Sequence, residues 1–524
     1  MATRVELYDT TLRDGTQMEG ISLSVDDKLK IARKLDELGV HYIEGGWPGS
    51  NPKDAEFFVR ARSLHLQNAR LAAFGATRRA GGKAETDPNL RALVDAGTPV
   101  VTIVGKADIR HVLHVLETTA EENLAMIADS VRYLKGHGLT VFFDAEHFFD
   151  GFFADKDYAL QCLKVAAQAG ADCVVLCDTN GGTITSRLQQ VVATVVGEVD
   201  VPVGIHAHNG ADLAVANTLA AVEAGAVHVQ GAINGYGDMC GNANMISIIA
   251  NLKLKMGLDV VTDEQLRKLT EVSRFVSEVA NLPPNPRQPY VGSAAFAHKA
   301  GLHAAGVARA PWSYQHVDPA LVGNETRFLV SELSGSHGLL AKLRERGIEV
   351  DREEARKILE QVKLMESRGY QYEGAEASLE LLVRRSRPGY QPPFELEDFM
   401  VVERRHHGPG DREMLSEAMV KVRVEDEVIH TAAEGNGPVN ALDAAVRKAL
   451  LQFYPSLEAV RLVDYKVRII NSARGTGASV RVLIESTDGE HVWTTVGAST
   501  DIIEASWLAL ADSLEYWLVT RGQP

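Results

Sequence analysis

Between residues 5 and 256 eight short apolar runs alternate with longer amphipathic stretches, and this rhythm limits the fold more than any other feature of the chain. The runs are "VELYDTTL", "HYIEGGWP", "ARLAAFGA", "VVTIVGK", "LTVFFDAEHF", "DCVVLCDTN", "VPVGIHAHN" and "HVQGAINGYG". Their near-continuous hydrophobicity suits parallel strands covered on both faces. The stretches between carry a helical period, as in "SVDDKLKIARKLDELG", where Ser24 is placed to cap the helix. Glycines in "ELGVHYIEGG", "DAGTPVVTIV", "AQAGADCVVL" and "VEAGAVHVQG" suit the left-handed turn that ends a helix just before the next strand. Eight strand-helix units in about 250 residues predict a TIM (β/α)8 barrel, with an open doubly wound sheet as the alternative.

A helix is expected around 263 to 280, and "NLPPNPRQPYVG" then places four prolines in seven residues, which stops regular structure. "DREEARKILEQVKLMESRG" and "EGAEASLELLVRRSR" predict a small helical subdomain, and "SRPGYQPPF" marks a second break. Beyond it "VKVRVEDEVIHTAAEGNGPVNALDAAVRKALLQFYP" and "VRVLIESTDGEHVWTTVGASTDIIEASWLALADSLEYWL" repeat one pattern of strand, turn, strand, glycine and helix, with Gly435 and Gly497 at matching places. The expected organisation is a catalytic barrel over 1–280, a linker and helical subdomain over 281–390, and a C-terminal α+β domain with internal duplication over 391–524.

A formal net charge of -16 without a long basic run argues against nucleic-acid or anionic-membrane partners. The N-terminal stretch lacks a secretory signal pattern, and no apolar run reaches the roughly 20 residues that span a bilayer, so a soluble cytoplasmic protein is expected. Cys162, Cys173, Cys177 and Cys240 fit no CxxC zinc spacing and read as reduced, packed thiols.

In a barrel, polar residues at the C-terminal ends of strands converge on one mouth. The ends here carry Arg13 and Asp14, Glu44, Asp144 and Glu146, Asp178 and Thr179, and His206 and His208. Alternation along a strand points His206 and His208 the same way, a spacing at which two imidazoles share one metal ion. Asp14 is the natural third ligand, because strands one and seven are near neighbours in a closed eight-strand barrel, with a structural salt bridge to Arg13 as the alternative. Asn242 in "GDMCGNAN" offers a carbonyl oxygen, although an Asn at that place is also an ordinary helix cap. Such a set suits Mn, Zn, Co or Mg holding a bidentate 2-oxo acid. Arg13 supplies a permanent positive donor beside the metal for a developing alkoxide, and Gly15 is expected to let the chain turn away. Thr179 offers a hydroxyl to a substrate carboxylate or stabilises a turn. Glu146 is the favoured general base, with Asp144 competing for that role or contacting substrate.

"DTTLRDG", "GIHAHNGADLAVANTLAAVEAGA" and "GNAN" resemble the metal-dependent acyltransferase family of the 2-isopropylmalate, homocitrate and citramalate synthases. The resemblance extends through "SAAFAHKAGLH", "ELSGSHG" and the C-terminal duplicate. Within the family, "WPGSNPKD", "GYGDMCGNANM", "GNGPVNALDAAVRKAL" and "DYKVRI" resemble the citramalate branch, which condenses pyruvate with acetyl-CoA and hydrolyses the thioester. 2-Isopropylmalate synthases, which use 2-oxoisovalerate, usually carry Gly-Glu-Arg where this chain has Gly237, Asp238 and Met239. The resemblance implies metal binding by Asp14, His206, His208 and Asn242, oxyanion stabilisation by Arg13, methyl deprotonation by Glu146, and oxo-acid binding by Thr179. It also implies that His303 and Tyr314, a polar pair in a loop region by themselves, reach an active site from the subdomain. Phe74 or Val104 would fill the small pyruvate pocket. The C-terminal duplicate would bind isoleucine as a feedback effector and hold a homodimer, with "GNGPVN" and "GASTDI" as either carboxylate-binding turns or helix caps.

Overall fold

A computed structural model describes residues 5–299, 301–329, 350–372, 374–405, 414–470 and 477–521, with the single residues 343, 348 and 475. All eight apolar runs form strands: β1 Glu6–Asp9, β2 Tyr42–Gly46, β3 Arg70–Ala76, β4 Val100–Lys106, β5 Thr140–Glu146, β6 Cys173–Asp178, β7 Val203–Ala207 and β8 His228–Gly231. They pair in parallel in sequence order, and β1 also pairs with β8, with Tyr8 opposite Gln230 and Asp9 opposite Gly231. The sheet is therefore a closed barrel, and the open alternative falls.

The helices begin where local chemistry predicts. Ser24 accepts from Asp27 N and Asp27 reaches back to it, which caps the helix Val25–Leu38. Gly39, at φ 89°, ends that helix three residues before the next strand begins at Tyr42. A buried shell of Leu, Ile, Val and Phe fills the space between strands and helices. Inside the barrel a separate layer of Tyr8, Tyr42, Ala72, Val100, Phe142, Cys173 and Val175 forms an apolar floor.

The chain divides into two compact units, Met1–Phe296 with His316–Thr326 and Ala297–Gln315 with Arg327–Pro524. The proline-rich stretch carries no helix or strand among its described residues, yet it is fastened to the barrel. Gln288 donates to Asn234 (2.9 Å), and Tyr290 Oη to Asn251 (3.0 Å). The helix expected around 263 to 280 is two, Asp263–Leu266 and Leu269–Val279.

In the second unit the helices Arg352–Ser367 and Glu376–Arg385 share an apolar cluster with Val496 of the C-terminal sheet. Arg385 pairs with Asp512 and Glu515, and Ser378 donates to Asp512 (2.6 Å), which fastens the helix Glu376–Arg385 to the helix Ile502–Thr520. The duplication is real and larger than its sequence pattern suggests. Each copy is a three-stranded antiparallel meander plus a helix: Glu395–Arg405, Met414–Val424, Glu427–Gly435 and Pro438–Leu450, then Arg461–Ile469, Val480–Thr487, Val492–Ser499 and Ile502–Thr520. Both first strands break register near their starts, at Leu396/Asp398 and Leu462/Asp464. "GASTDI" is a helix cap: Asp501 itself accepts from Ile503 N and Glu504 N. "ELSGSHG" and most of "RRHHGPGD", a stretch expected from its sequence to be a solvated loop, lie outside the described residues.

Candidate active site and metal centre

The turn after β1 is tied by Asp9, whose carboxylate accepts from Thr11 N (2.9 Å) and Thr11 Oγ1 (3.0 Å). Burial pushes the Asp9 carboxyl up to about 7. Arg13 N and Gly15 N both return to Thr10 O, so the backbone itself makes the turn. Gly15 is not required for it: an added Cβ would meet nothing nearer than 3.6 Å.

This turn aims Asp14 across the mouth at the end of β7. Asp14 Oδ2 lies 3.5 Å from His206 Nε2 and 3.6 Å from His208 Nε2, and the two imidazole centres are 5.0 Å apart. Among the described residues, these three form a group whose ligand atoms all lie within 4.8 Å of one another. The loop after β8 closes the fourth side, because Asn209 N donates to Gly241 O and Ala243 N to Ala207 O. Asn242 Nδ2 donates to Tyr236 O (3.1 Å), which turns its Oδ1 the other way. The helix-cap role falls instead to Asn244, which accepts from Ile246 N. Asp14 Oδ1, both His208 nitrogens and Asn242 Oδ1 are buried without a hydrogen-bond partner. An imidazole, a carboxylate oxygen and an amide oxygen left in that state, with His206 Nε2 beside them, fit a divalent cation.

The charges favour it. Burial alone would raise the Asp14 carboxyl, but Arg13 and the two imidazoles outweigh it and hold the group well below the usual carboxylate range. Burial, helped by His208, lowers His206 to about 4, so it presents a neutral ring. Arg13 is gripped on three sides. Its Nε lies 2.5 Å from Glu44 Oε2, its Nη1 3.3 Å from Asp14 Oδ2, and its guanidinium carbon 3.8 Å from the centre of the Phe74 ring. Trp47 packs edge-on against Phe74.

The fully buried Glu44 also accepts from Tyr8 Oη (2.7 Å), which in turn lies 2.7 Å from Thr102 Oγ1. Asp144, 3% exposed, is held by Gln230 Nε2 (3.0 Å), and burial together with the charge of Glu44 raises its carboxyl well above the usual range. Glu146, at the rim, has Lys106 Nζ 2.5 Å from Oε2. Thr179 Oγ1 accepts from His147 N (2.8 Å), leaving its own proton to donate.

Arg13, Asp14, Asp144, Glu146, Thr179, His206, His208 and Asn242 thus all stand on one barrel unit. His303 and Tyr314 belong to the second unit, where their rings stack 4.2 Å apart. Sequence reasoning flagged Glu44 at a strand end without a role and passed over Tyr8, Thr102, Lys106 and Gln230. A polar side chain two places after His228 in a fully buried strand was the signal for Gln230. Cys240, read as packed, is exposed, while the other three thiols are buried.

The barrel region, residues 4–276, matches the HMGL-like family model, and residues 290–369 match the homocitrate synthase post-HMGL domain-like model. Residues 373–518 match the LeuA allosteric (dimerisation) domain. The chain is 54% identical to an (R)-citramalate synthase of Geobacter sulfurreducens, over 98% of this chain and 97% of that protein. It is 52% identical to an (R)-citramalate synthase of Aquifex aeolicus, over 99% and 98%. The chain belongs to the HMGL-like family, in the citramalate and 2-isopropylmalate synthase group. A probable 2-isopropylmalate synthase of Methanopyrus kandleri is 36% identical over 97% of each chain. The relatives at 47–54% identity are (R)-citramalate synthases, whereas both names occur at 33%, and the resemblance read from the motifs extends over nearly the whole chain.

Proposed function

We propose that the protein is an (R)-citramalate synthase, which joins the methyl carbon of acetyl-CoA to the keto carbon of pyruvate and hydrolyses the resulting thioester to citramalate and CoA. The observation that carries this reading is 54% and 52% identity over nearly the full chain to proteins of that name, combined with a chelating cluster that has Arg13 beside it.

In this reading Asp14, His206, His208 and Asn242 hold a divalent ion, Mn, Zn, Co or Mg. Such an ion, when bound, supplies Lewis acidity to the 2-oxo acid. Arg13, kept charged by Glu44 and Asp14, donates hydrogen bonds to the keto oxygen as it gains charge. Thr179 donates its hydroxyl proton to the substrate carboxylate. Glu146 takes a methyl proton from acetyl-CoA, and the carbon freed of it attacks the keto carbon. Water then replaces CoA at the thioester carbon. Within the proposed three-part organisation, His303 and Tyr314 of the segment after the barrel keep the catalytic roles that the family resemblance implies, and Phe74 and Val104 bound the methyl pocket.

The C-terminal unit supports regulation through its match to the LeuA allosteric (dimerisation) domain. We place isoleucine binding and homodimer formation there, with the enzyme opening a threonine-independent route to isoleucine. Among the described residues no helix is long and apolar enough to cross a membrane, which accords with a cytoplasmic enzyme.

The test is a panel of 2-oxo acids with acetyl-CoA, read by thiol release with and without chelator. Pyruvate should be preferred by at least tenfold in kcat/KM, with activity lost to chelator and restored by a divalent ion. Faster turnover of 2-oxoisovalerate would transfer the assignment to 2-isopropylmalate synthase. Isoleucine inhibition and light scattering test the regulatory part.

A further inference from the structure

Three buried side chains form a continuous hydrogen-bonded line beneath the proposed metal centre. Asp144 on β5 accepts through Oδ1 from Gln230 Nε2 on β8 (3.0 Å), and Gln230 Oε1 faces His206 Nδ1 on β7 at 2.9 Å. Gln230 is fully buried, and Asp144 and His206 are 3% and 5% exposed, so water does not compete for these atoms.

The order of partners sets the direction of every bond. The Gln230 amide turns its NH2 toward Asp144 Oδ1 on β5 and its carbonyl toward His206 Nδ1 on β7, and Oδ1 accepts whether or not Oδ2 carries the proton that burial favours. A carbonyl in turn requires a donor, which makes Nδ1 the protonated nitrogen of His206. Nε2 is then left with its lone pair, 3.5 Å from Asp14 Oδ2, on the side where His208 and Asn242 also present unpartnered atoms. An imidazole held by a neutral amide rather than by a carboxylate also adds no negative charge to a site that already contains Asp14 and Glu44.

We propose that Gln230 is a positioning residue for the metal centre, fixing the ring plane and tautomer of His206, and that Asp144 acts through Gln230 rather than on the substrate. The proposal rests on the reading of Asp14, His206 and His208 as ligands, but not on which 2-oxo acid is used.

The experiment is titration of metal-stripped full-length protein with Co2+, followed by the visible absorption of the bound ion, with circular dichroism to confirm folding. Gln230→Leu should weaken Co2+ binding by about 10- to 100-fold, the range found when a partner of a ligating histidine is removed. Gln230→Glu keeps an oxygen for His206 Nδ1–H and should recover most of that loss. Asp144→Leu should weaken binding in the same direction as Gln230→Leu. Wild-type affinity in Gln230→Leu, or equal loss in Gln230→Glu, overturns the role of Gln230. Unchanged Co2+ affinity in Asp144→Leu with a raised KM for the 2-oxo acid overturns the role of Asp144 and returns it to the substrate. A wild-type protein that takes up no Co2+ would instead sink the metal reading itself, whatever the substrate panel shows.

Discussion

Arg13 Nε lies 2.5 Å from Oε2 of Glu44, a fully buried carboxylate 31 positions away in the chain. This pair, with the Phe74 ring beneath the guanidinium, leaves Arg13 one orientation, facing the same opening as Asp14. Replacing Arg13 by Lys substitutes a point charge for a planar fork and should lower kcat by about 10² to 10³, the cost of one misplaced oxyanion donor. Glu44→Gln keeps the shape but loosens the grip, with an expected loss of about 10² in kcat. Phe74→Leu should cost less, about 3- to 30-fold in kcat/KM, matching one partly buried cation-π contact. Steady-state turnover of pyruvate and acetyl-CoA measures all three, and a Glu44→Gln enzyme of normal kcat would disprove the clamp.

Glu146 meets Lys106 at the rim and is the carboxylate nearest to open solvent among those assigned roles. If it removes the methyl proton, Glu146→Gln should lower kcat by about 10² to 10⁴. Solvent deuterium should then no longer enter the methyl group of acetyl-CoA, which mass spectrometry reads directly. Continued exchange at the wild-type rate would reassign the base.

His228 sits in the barrel floor, 2% exposed, among Tyr8, Tyr42 and Phe142, with neither ring nitrogen hydrogen-bonded. Burial, with a smaller contribution from His41, lowers it to about 3. The unfolded chain therefore binds a proton on this residue at higher pH than the folded one does. Stability is undiminished above about pH 6.5 and is lost as pH falls toward the folded value. Compared with His228→Phe, the wild-type protein should lose about 2 kcal/mol between about pH 7 and about pH 5. Urea unfolding of both proteins across that range checks it, and parallel curves would show that the residue does not titrate as described.

Gly435 and Gly497 lie where each C-terminal helix crosses its own sheet. A Cβ on Gly497 would lie 2.1 Å from Ala505 O, and one on Gly435 2.4 Å from Ala441 N. Backbone atoms cannot yield as a flexible side chain would, so Gly435→Ala and Gly497→Ala should each destabilise the second unit by about 1 to 3 kcal/mol. Limited proteolysis with thermal unfolding tests the pair, and an unaffected Gly497→Ala protein would remove the argument that the repeats share one packing rule.

The barrel was legible because its signals are local. Strand runs, helix period and glycine caps each extend over fewer than twenty residues, and Ser24 with Gly39 show them acting as read. Strand alternation likewise placed His206 and His208 on one face, because two positions along a strand always share a side. Asn242 was ambiguous by pattern alone. Its separation from the helix cap depends on Asn244 taking that role and on Tyr236 O turning its amide.

What the amino-acid order determined by itself was the set of elements and the side chains each presents at the barrel mouth. Only the closed tertiary structure decided which of them meet, because the deciding contacts join residues far apart in the chain: Tyr8 with Thr102 across 94 positions, Gln230 with Asp144 across 86, and His206 with Gln230 across 24. Propensity and periodicity act over a few residues, whereas a buried polar group takes whatever partner the fold brings within hydrogen-bond reach, and no local pattern records that choice.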